Sequence, residues 1–399
     1  MTPPNQPAIR TVVAHPYVVY TLPWFIAVSL FGLHWSNVLT STIDETLAMT
    51  FTIAGMLAIS YIFWNITFRL ATVTVQSQEI DLEKLKQVAK VLLKIWAVAT
   101  LAEIAVSGGI PILWLLTDSS KNYMDFGVRS IHGFVISLLM AASLIYAVLG
   151  FQTGQRKYFW VPAFAVFWFI ICITRAYVMV MLLEILFIVI QCKRLNYAKI
   201  FLYGGVIGFI IMVGFGILGD LRSPLFDQIA GITPEYPDWM PRGAIWMYLY
   251  LTTPIDNLIY TVKHVSPDYN VMMPLTFSQL LPSVIRGIVV EGSTVNGLLA
   301  SVFNVSTTFV MPYQDFGFLG IALFAWGTMG ASTYFWIRRD IYGIVGYAVM
   351  AQCALNAIFS NMFLNLSVVF QLVWFVIALN AARRSMPATA ELEIVDRPA

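Results

Sequence analysis

The residues of this chain best suited to binding a ligand are four arginines in four different segments: Arg175, Arg222, Arg242 and Arg286. A guanidinium group keeps its charge when it leaves water, and it binds phosphate through two parallel hydrogen bonds. If folding brings several of these groups together, they form a site for phosphate or pyrophosphate. The competing interpretation is that these arginines contact lipid head groups or pair with acidic side chains of their own loops.

A reaction at such a site needs a group that accepts a proton, and the sequence offers two. His132 closely follows Arg129, which is a further candidate phosphate ligand, and Asp315 lies in the segment Tyr313-Gln-Asp-Phe-Gly317. A histidine or a carboxylate can act as a general base. Equally, His132 can be an interfacial histidine with satisfied hydrogen bonds, and Asp315 can cap the N-terminus of a helix. Both interpretations of each residue stay open.

Three tyrosines, Tyr248, Tyr250 and Tyr313, are candidates for stacking on sugar rings because their own rings offer large apolar faces. The chain has no Asp-x-Asp pair for a metal-bound nucleotide sugar, no P-loop and no glycine-rich dinucleotide motif. No set of histidines, cysteines and carboxylates has the spacing of metal ligands. The sequence therefore predicts chemistry without a metal or another cofactor. The lack of a basic tract argues against nucleic acid as a partner.

Composition restricts the class of protein that carries these residues. Of the 399 residues, 59% are hydrophobic and 11% are charged, whereas an average soluble domain has about 25% charged residues. The apolar residues form long continuous runs, as in membrane-spanning helices. The sequence therefore predicts an all-α polytopic membrane protein that forms one transmembrane domain over residues 1–399.

Ten apolar runs have roughly the length that crosses the hydrocarbon core, which takes about 17 to 25 residues. We place these spans at Tyr17–Leu39, Thr46–Phe68, Val88–Val106, Ile131–Phe151, Tyr158–Ile173, Tyr177–Gln191, Ile200–Leu218, Phe316–Trp336, Ile341–Ser360 and Leu364–Ala382. With both termini in the cytoplasm, most of the 23 basic residues lie on the cytoplasmic side. That bias is the one expected for a protein in the bacterial inner membrane.

The apolar run from Tyr158 to Gln191 needs a turn within it. As one helix it would be about 50 Å long, well beyond a hydrocarbon core of about 30 Å. Basic residues flank the run on both sides, and both groups favour the cytoplasm. The chain is therefore expected to turn back near Thr174 and Arg175, which places Arg175 at the outer face between two helices.

The stretch from Asp220 to Phe316 is predicted to be a long loop on the outer side of the membrane, where it roofs a site at the membrane surface. Its apolar segments are expected to lie on the bilayer as short amphipathic helices. These segments are Ala244–Leu251, Asn257–Val262, Leu275–Val284 and Val295–Val310. Residues 383–399 are predicted to form a polar cytoplasmic tail.

Three segments resemble those of a known family: Ser107-Gly-Gly-Ile-Pro111, Thr174-Arg175-Ala176 and Asn304–Gly320 with its Tyr-x-Asp-Phe-Gly-x-x-Gly ending. Together with length and topology, they resemble the Wzy-type oligosaccharide repeat-unit polymerases of O-antigen and capsule synthesis, which are similar to the O-antigen ligases. The resemblance implies a GT-C-like arrangement of about ten transmembrane helices with a large helical periplasmic loop. Arg175 matches the arginine at the family's helix turn, and Asp315 and Gly317 match its loop-end motif.

The resemblance also implies an activity. Such enzymes transfer a growing glycan from undecaprenyl pyrophosphate onto an incoming repeat unit that is linked to a second undecaprenyl pyrophosphate. In this chain Arg175, helped by Arg222 or Arg286, would stabilise the departing pyrophosphate, and Asp315 or His132 would be the base. The implied partners are the lipid-linked glycan, membrane lipid, a chain-length regulator and a flippase.

Other functions remain open from the sequence. An O-antigen ligase, or another glycosyltransferase that uses polyprenyl-phosphate sugars, would carry the same residue types and differ in its product. A lipid-linked oligosaccharide transporter belongs to another class and favours internal repeats and charged residues at mid-bilayer. In this chain the charged residues gather at one face instead. A non-enzymatic scaffold in a glycan-assembly complex is a further alternative.

Overall fold

The computed structural model describes residues 12–71, 80–117, 119–193, 197–222, 229–269, 274–282, 284–286, 305–338 and 340–383. Within these ranges the chain is helical, with isolated bridge pairs in place of strands. The α-helices are α1 Pro16–Phe31, α2 Ile43–Leu70, α3 Leu82–Ser107, α4 Pro111–Leu116, α5 His132–Thr153, α6 Trp160–Ile171, α7 Arg175–Cys192, α8 Tyr197–Arg222, α9 Arg242–His264, α10 Leu275–Ser278, α11 Val310–Ile337, α12 Ile341–Asn356 and α13 Leu366–Ala381. Short 3-10 turns occupy Tyr123–Asp125, Arg156–Phe159 and Met362–Leu364. The prediction of an all-α chain is confirmed for this part of the molecule.

Each of the ten predicted spans overlaps a helix, although the first, Tyr17–Leu39, extends eight residues beyond the end of its helix at Phe31. Five helical stretches are long and apolar enough to cross a membrane: Ile43–Leu70, Leu82–Leu116, His132–Thr153, Arg175–Cys192 and Val310–Ile337. Several shorter apolar helices, among them α1, α12 and α13, accompany them. The chain therefore has the helices of a membrane protein, and the full number of ten spans stays a prediction.

Helix α5 is the centre of the bundle. It is buried without a break from Val135 to Gly150, and it packs against α3, α6, α7 and α13. A helix that is apolar on all sides can lie against other helices or against lipid. The continuous apolar sequence of α5, without an Asp, Glu, Lys or Arg, is compatible with this central position.

The turn that was predicted near Thr174 is present. Helix α6 ends at Ile171, and α7 begins at Arg175. Ile173 has a positive φ of 57°, and both the backbone N–H and the hydroxyl of Thr174 donate to the Phe169 carbonyl at 3.0 and 3.1 Å. These bonds close the end of α6, so that Arg175 becomes the first residue of the returning helix.

Two of the predicted surface helices are wrong. Ala244–Leu251 and Asn257–Val262 belong to the single helix α9, which continues through Pro254 and packs against α1, α2, α8 and α11. Most of its residues are buried, because its apolar stripe lies on other helices instead of on lipid. Leu275–Val284 contains the short helix α10. The fourth segment, Val295–Val310, falls mostly outside the described residues.

Polar contacts attach α9 to the start of α2. The buried Asp256 carboxylate accepts hydrogen bonds from the backbone N–H groups of Thr40 at 2.7 Å and Ser41 at 3.0 Å. Lys263, two turns further along α9, forms an ion pair with Glu45 at 2.6 Å. Thr40 and Ser41 precede Thr42, the N-cap of α2, so Asp256 binds the segment that leads into this helix. These contacts hold α9 in the bundle.

The motif from Tyr313 to Gly320 forms a kink in α11 that binds the preceding loop. Phe316 and Gly317 have non-helical backbone angles, and Gly317 has φ 61° and ψ −145°. The carbonyl groups of Gln314 and Asp315 then accept hydrogen bonds from Asp268 and Tyr269, both at 2.8 Å. An alanine Cβ at Gly320 would overlap the carbonyl oxygen of Pro312. Both glycines of the motif are therefore required by the backbone.

The side chain of Asp315 completes this attachment. It is 2% exposed, and its carboxylate accepts hydrogen bonds from the backbone N–H groups of Leu275 at 2.7 Å and Thr276 at 2.8 Å, and from the Thr276 hydroxyl. The predicted capping role is therefore present, but Asp315 caps α10 and lies within α11 instead of at its start.

We predict that Gly317→Ala destabilises the protein by about 1–3 kcal/mol, because the left-handed backbone at this position disfavours a side chain. Its Cβ would also lie 3.3 Å from Cγ of Pro267. Gly327→Ala in the same helix is the matched control, since its Cβ would meet nothing within 4 Å. Thermal unfolding in lipid nanodiscs measures both variants. Equal unfolding temperatures for the two would contradict the proposed role of the kink.

We also predict that Asp315→Asn speeds hydrogen exchange at the amides of Leu275 and Thr276. An asparagine has one acceptor oxygen where the carboxylate has two, and a buried N–H group left without an acceptor costs about 1–3 kcal/mol. Asp268→Asn, which changes an exposed carboxylate of the same loop, should leave these rates as they are. Unchanged exchange in Asp315→Asn would show that the carboxylate does not hold α10.

Candidate functional site

A cavity of about 700 Å³ lies at the end of the bundle where α3, α6 and α12 end and α5, α7 and α13 begin. We call this the cavity end. The walls come from α4 and the loop after it, the turn before α7, α9 and the end of α12. Residues in these walls include Pro111, Trp114, Lys121, Asn122, Tyr123, Thr174, Arg175, Tyr177, Tyr250, Val305, Asn356, Phe359, Ser360 and Met362.

Two cationic residues line the cavity, Arg175 and Lys121. Arg175 is half-buried at the first position of α7, where the turn after α6 places it. The Lys121 ammonium donates to the carbonyl of Ser107 at 2.6 Å and lies 5.5 Å from the ring centroid of Trp114. None of the described lining residues is an aspartate, a glutamate or a histidine. The described walls of the cavity thus contain two positively charged side chains and no carboxylate.

The paired glycines after α3 shape the wall around Lys121. Gly108 and Gly109 have φ of 73° and 144°, and both values lie in the region that favours glycine. A Cβ on Gly109 would come within 2.7 Å of the Trp114 indole nitrogen, and one on Gly108 within 3.3 Å of the Lys121 ammonium. The motif Ser107-Gly-Gly-Ile-Pro111 thus ends α3, starts α4 and leaves room for the tryptophan and the lysine.

Aromatic side chains form much of the remaining wall, among them Trp114, Tyr123, Tyr177, Tyr250 and Phe359. Tyr250 is therefore the predicted tyrosine that faces the cavity. The Tyr177 hydroxyl lies 3.0 Å from the Ser367 hydroxyl, which links α7 to α13 at the cavity. Flat apolar faces beside two cations suit a ligand with an anionic group and apolar or sugar-ring surfaces.

The other predicted arginines are placed elsewhere. The Arg286 guanidinium donates to three carbonyl groups of its own segment, those of Ser278, Gln279 and Leu281 at 2.9, 3.1 and 3.1 Å. It therefore closes the end of α10. Arg242 is exposed at the first position of α9, and Arg129 is exposed in the loop before α5. Arg222 ends α8, and its side chain lies outside the described part of the structure. Among these arginines, Arg175 is the one found in the described cavity walls.

His132 is held by a buried carboxylate. Its Nδ1 lies 3.1 and 3.0 Å from the two oxygens of Glu103, a residue that is 2% exposed. Glu103 also accepts a hydrogen bond from the Val128 backbone N–H at 3.2 Å. The ring of Phe126 contacts both His132 and Trp114, at centroid distances of 5.4 and 6.3 Å. His132 therefore lies one aromatic side chain behind the cavity wall, with its ring oriented by Glu103.

Two predicted tyrosines are buried away from the cavity walls. Tyr248 is 1% exposed, and its hydroxyl accepts a hydrogen bond from the Trp35 N–H at 3.2 Å. Tyr313 is 7% exposed, and its hydroxyl donates to the Val262 carbonyl at 3.1 Å. Both contacts hold α9 to its neighbours. Of the three predicted tyrosines, Tyr250 is therefore the one that lines the described cavity.

Sequence reasoning missed Lys121 and the partner of His132. Lys121 stands in a polar loop, and the signal for it was its position directly after the apolar helix α4, at the same end as Arg175. The signal for Glu103 was stronger, because a carboxylate within a span requires a partner.

Comparisons of the chain with protein-family models, with curated proteins and with solved structures return no match.

Proposed function

We propose that this chain is a glycosyltransferase that polymerises oligosaccharide repeat units linked to undecaprenyl pyrophosphate. It would act at the periplasmic face of a bacterial inner membrane that its ten helices span, with both termini in the cytoplasm and residues 220–316 over the site. The observation that carries the proposal is the cavity with Arg175 and Lys121 in its wall. It combines positive charge, aromatic faces and apolar surface at one end of an apolar helix bundle.

The proposed orientation rests on the basic residues at the two ends of the bundle. Many lie at the end opposite the cavity, including Lys84, Lys86, Arg156, Lys157, Lys193 and Arg338. Cytoplasmic loops carry an excess of lysine and arginine. The cavity end then faces the periplasm, where lipid-linked repeat units are joined.

In the proposed reaction, Arg175 and Lys121 bind the pyrophosphate of the donor lipid. The bond between the anomeric carbon and the phosphate oxygen breaks as the hydroxyl of the acceptor sugar attacks that carbon. Two fixed cations stabilise the negative charge that develops on the departing pyrophosphate. Holding donor and acceptor together supplies much of the remaining rate enhancement.

In this proposal the proton of the acceptor hydroxyl passes to His132 through a bridging water, because Phe126 separates this histidine from the cavity wall. Glu103 holds its Nδ1 and thereby orients the opposite ring nitrogen, Nε2. A carboxylate that binds an imidazole in this way also stabilises the imidazolium that forms. Asp315 is the less suitable base, because three hydrogen bonds from Leu275 and Thr276 already occupy its carboxylate.

We predict that Arg175→Ala and Lys121→Ala each weaken binding of undecaprenyl pyrophosphate by about ten- to a hundredfold. A hydrogen bond to a charged group contributes about 1.5–3 kcal/mol. Binding is measured on the purified protein in nanodiscs. Arg156→Ala, an exposed arginine at the opposite end, is the control and should bind as the wild type does. Wild-type affinity in both cavity variants would remove the basis for the proposed function.

A cellular experiment separates polymerase from ligase and transporter. Deleting a polymerase leaves single repeat units on the finished glycolipid, whereas deleting a ligase leaves none. Loss of a transporter would trap lipid-linked repeat units on the cytoplasmic side. We expect single repeats in the deletion strain, and we expect the plasmid-borne Arg175→Ala variant to leave that pattern unrepaired. Repair to full-length chains by this variant would contradict the role of Arg175.

A further inference from the structure

A carboxyl group lies deep in the bundle below the cavity. Glu184 is nine residues beyond Arg175 on α7 and is 0% exposed. Its contact is with Gln371 of α13, which is also 0% exposed. Neither residue lines the cavity. The proposed glycosyl transfer uses neither of them.

One hydrogen bond joins these two side chains. The Gln371 amide nitrogen donates to Glu184 Oε1 at 2.6 Å. The other oxygen of each side chain, Oε2 of Glu184 and Oε1 of Gln371, receives no hydrogen bond from the described donors. Two buried acceptors thus stand next to each other without a donor between them. Buried polar atoms are rarely left in this state, because each lost hydrogen bond to water is costly.

The surroundings offer no positive charge to balance a carboxylate. Helices α5, α6, α12 and α13 contain no Asp, Glu, Lys or Arg. The charged residues of α8, which also packs against α7, stand near its ends. Arg175 is about 13 Å away along the axis of α7. The titratable group that interacts with Glu184 is the buried thiol of Cys353 on α12, which carries no positive charge in either form.

We propose that Glu184 and Gln371 form a proton-binding site, in which Glu184 is a neutral carboxylic acid that donates its Oε2–H to Gln371 Oε1. The Gln371 amide donates in return to Glu184 Oε1. One bound proton then supplies the donor that both free acceptors lack. A neutral pair with two reciprocal hydrogen bonds avoids the large cost of an isolated charge in a low-dielectric interior.

This proton holds together the helices that carry one wall of the cavity. Tyr177 of α7 and Ser367 of α13 meet at the cavity. Glu184 and Gln371 join the same two helices about two turns further along α7 and about one turn further along α13. Loss of the proton would place an unbalanced charge at the deeper contact. The proton-binding site thereby supports the position of α7, whose first residue is Arg175. This inference does not depend on the identity of the ligand.

The test is infrared spectroscopy of the full chain in nanodiscs at neutral pH. A protonated carboxyl group gives a C=O stretching band that a carboxylate lacks. We expect this band in the wild type, its loss in Glu184→Gln, and its retention in Glu83→Gln, which changes an exposed glutamate. The proposal would be overturned if the wild-type spectrum contained no protonated-carboxyl band, or if Glu184→Gln left every such band in place.

Thermal unfolding supplies a second readout. Glu184→Gln mimics the neutral acid and can form two hydrogen bonds with Gln371, so we expect its unfolding temperature at neutral pH to be at least that of the wild type. Because folded protein would bind a proton that unfolded chain releases, wild-type stability should fall relative to Glu184→Gln as the pH rises. A parallel pH dependence in the two proteins, or destabilisation of Glu184→Gln to the level of Glu184→Ala, would contradict the neutral pair.

Discussion

The turn between α6 and α7 is the constraint on which the candidate site depends. An apolar run of this length cannot cross a membrane once as a straight helix, so the chain reverses within it. The reversal uses Ile173 in a left-handed conformation and closes on the Phe169 carbonyl. Its geometric consequence is that Arg175 stands at the first position of a helix, at the bundle end and beside the cavity.

The apolar helices and this turn were predictable because they follow from the length of the apolar runs and the placement of basic residues. The position of α9 was not predictable in the same way. Its sequence has one apolar stripe, and a stripe shows that a helix is covered on one side without showing whether lipid or protein covers it. In the structure α9 is covered by other helices, and its buried Asp256 binds the backbone of Thr40 and Ser41 just before α2. That contact joins residues far apart in sequence.

The arginines also show what could not be predicted from the sequence alone. A guanidinium group suits phosphate, but it suits backbone carbonyl groups equally well, and a sequence does not reveal which acceptor is nearer. Arg286 closes α10, and Arg175 lines a cavity. The segment from Tyr313 to Gly320 was singled out as a candidate for chemistry, and the structure shows what it does to the backbone. Gly317 makes the kink, Asp315 caps α10, and Tyr313 bonds to α9. A strongly constrained motif can therefore resemble a catalytic one.

Carboxylates near the cavity end stabilise the surrounding fold. Glu103 binds His132, Asp256 binds the backbone just before α2, Asp315 caps α10, and Glu45 pairs with Lys263. Asp125 accepts a hydrogen bond from the backbone N–H of Asn122, a residue of the cavity wall. Several of these partners are backbone N–H groups, which need an acceptor wherever they are removed from water. The acidic side chains of this end thus stabilise the fold, and Arg175 and Lys121 stay beside the cavity without a carboxylate in its described walls.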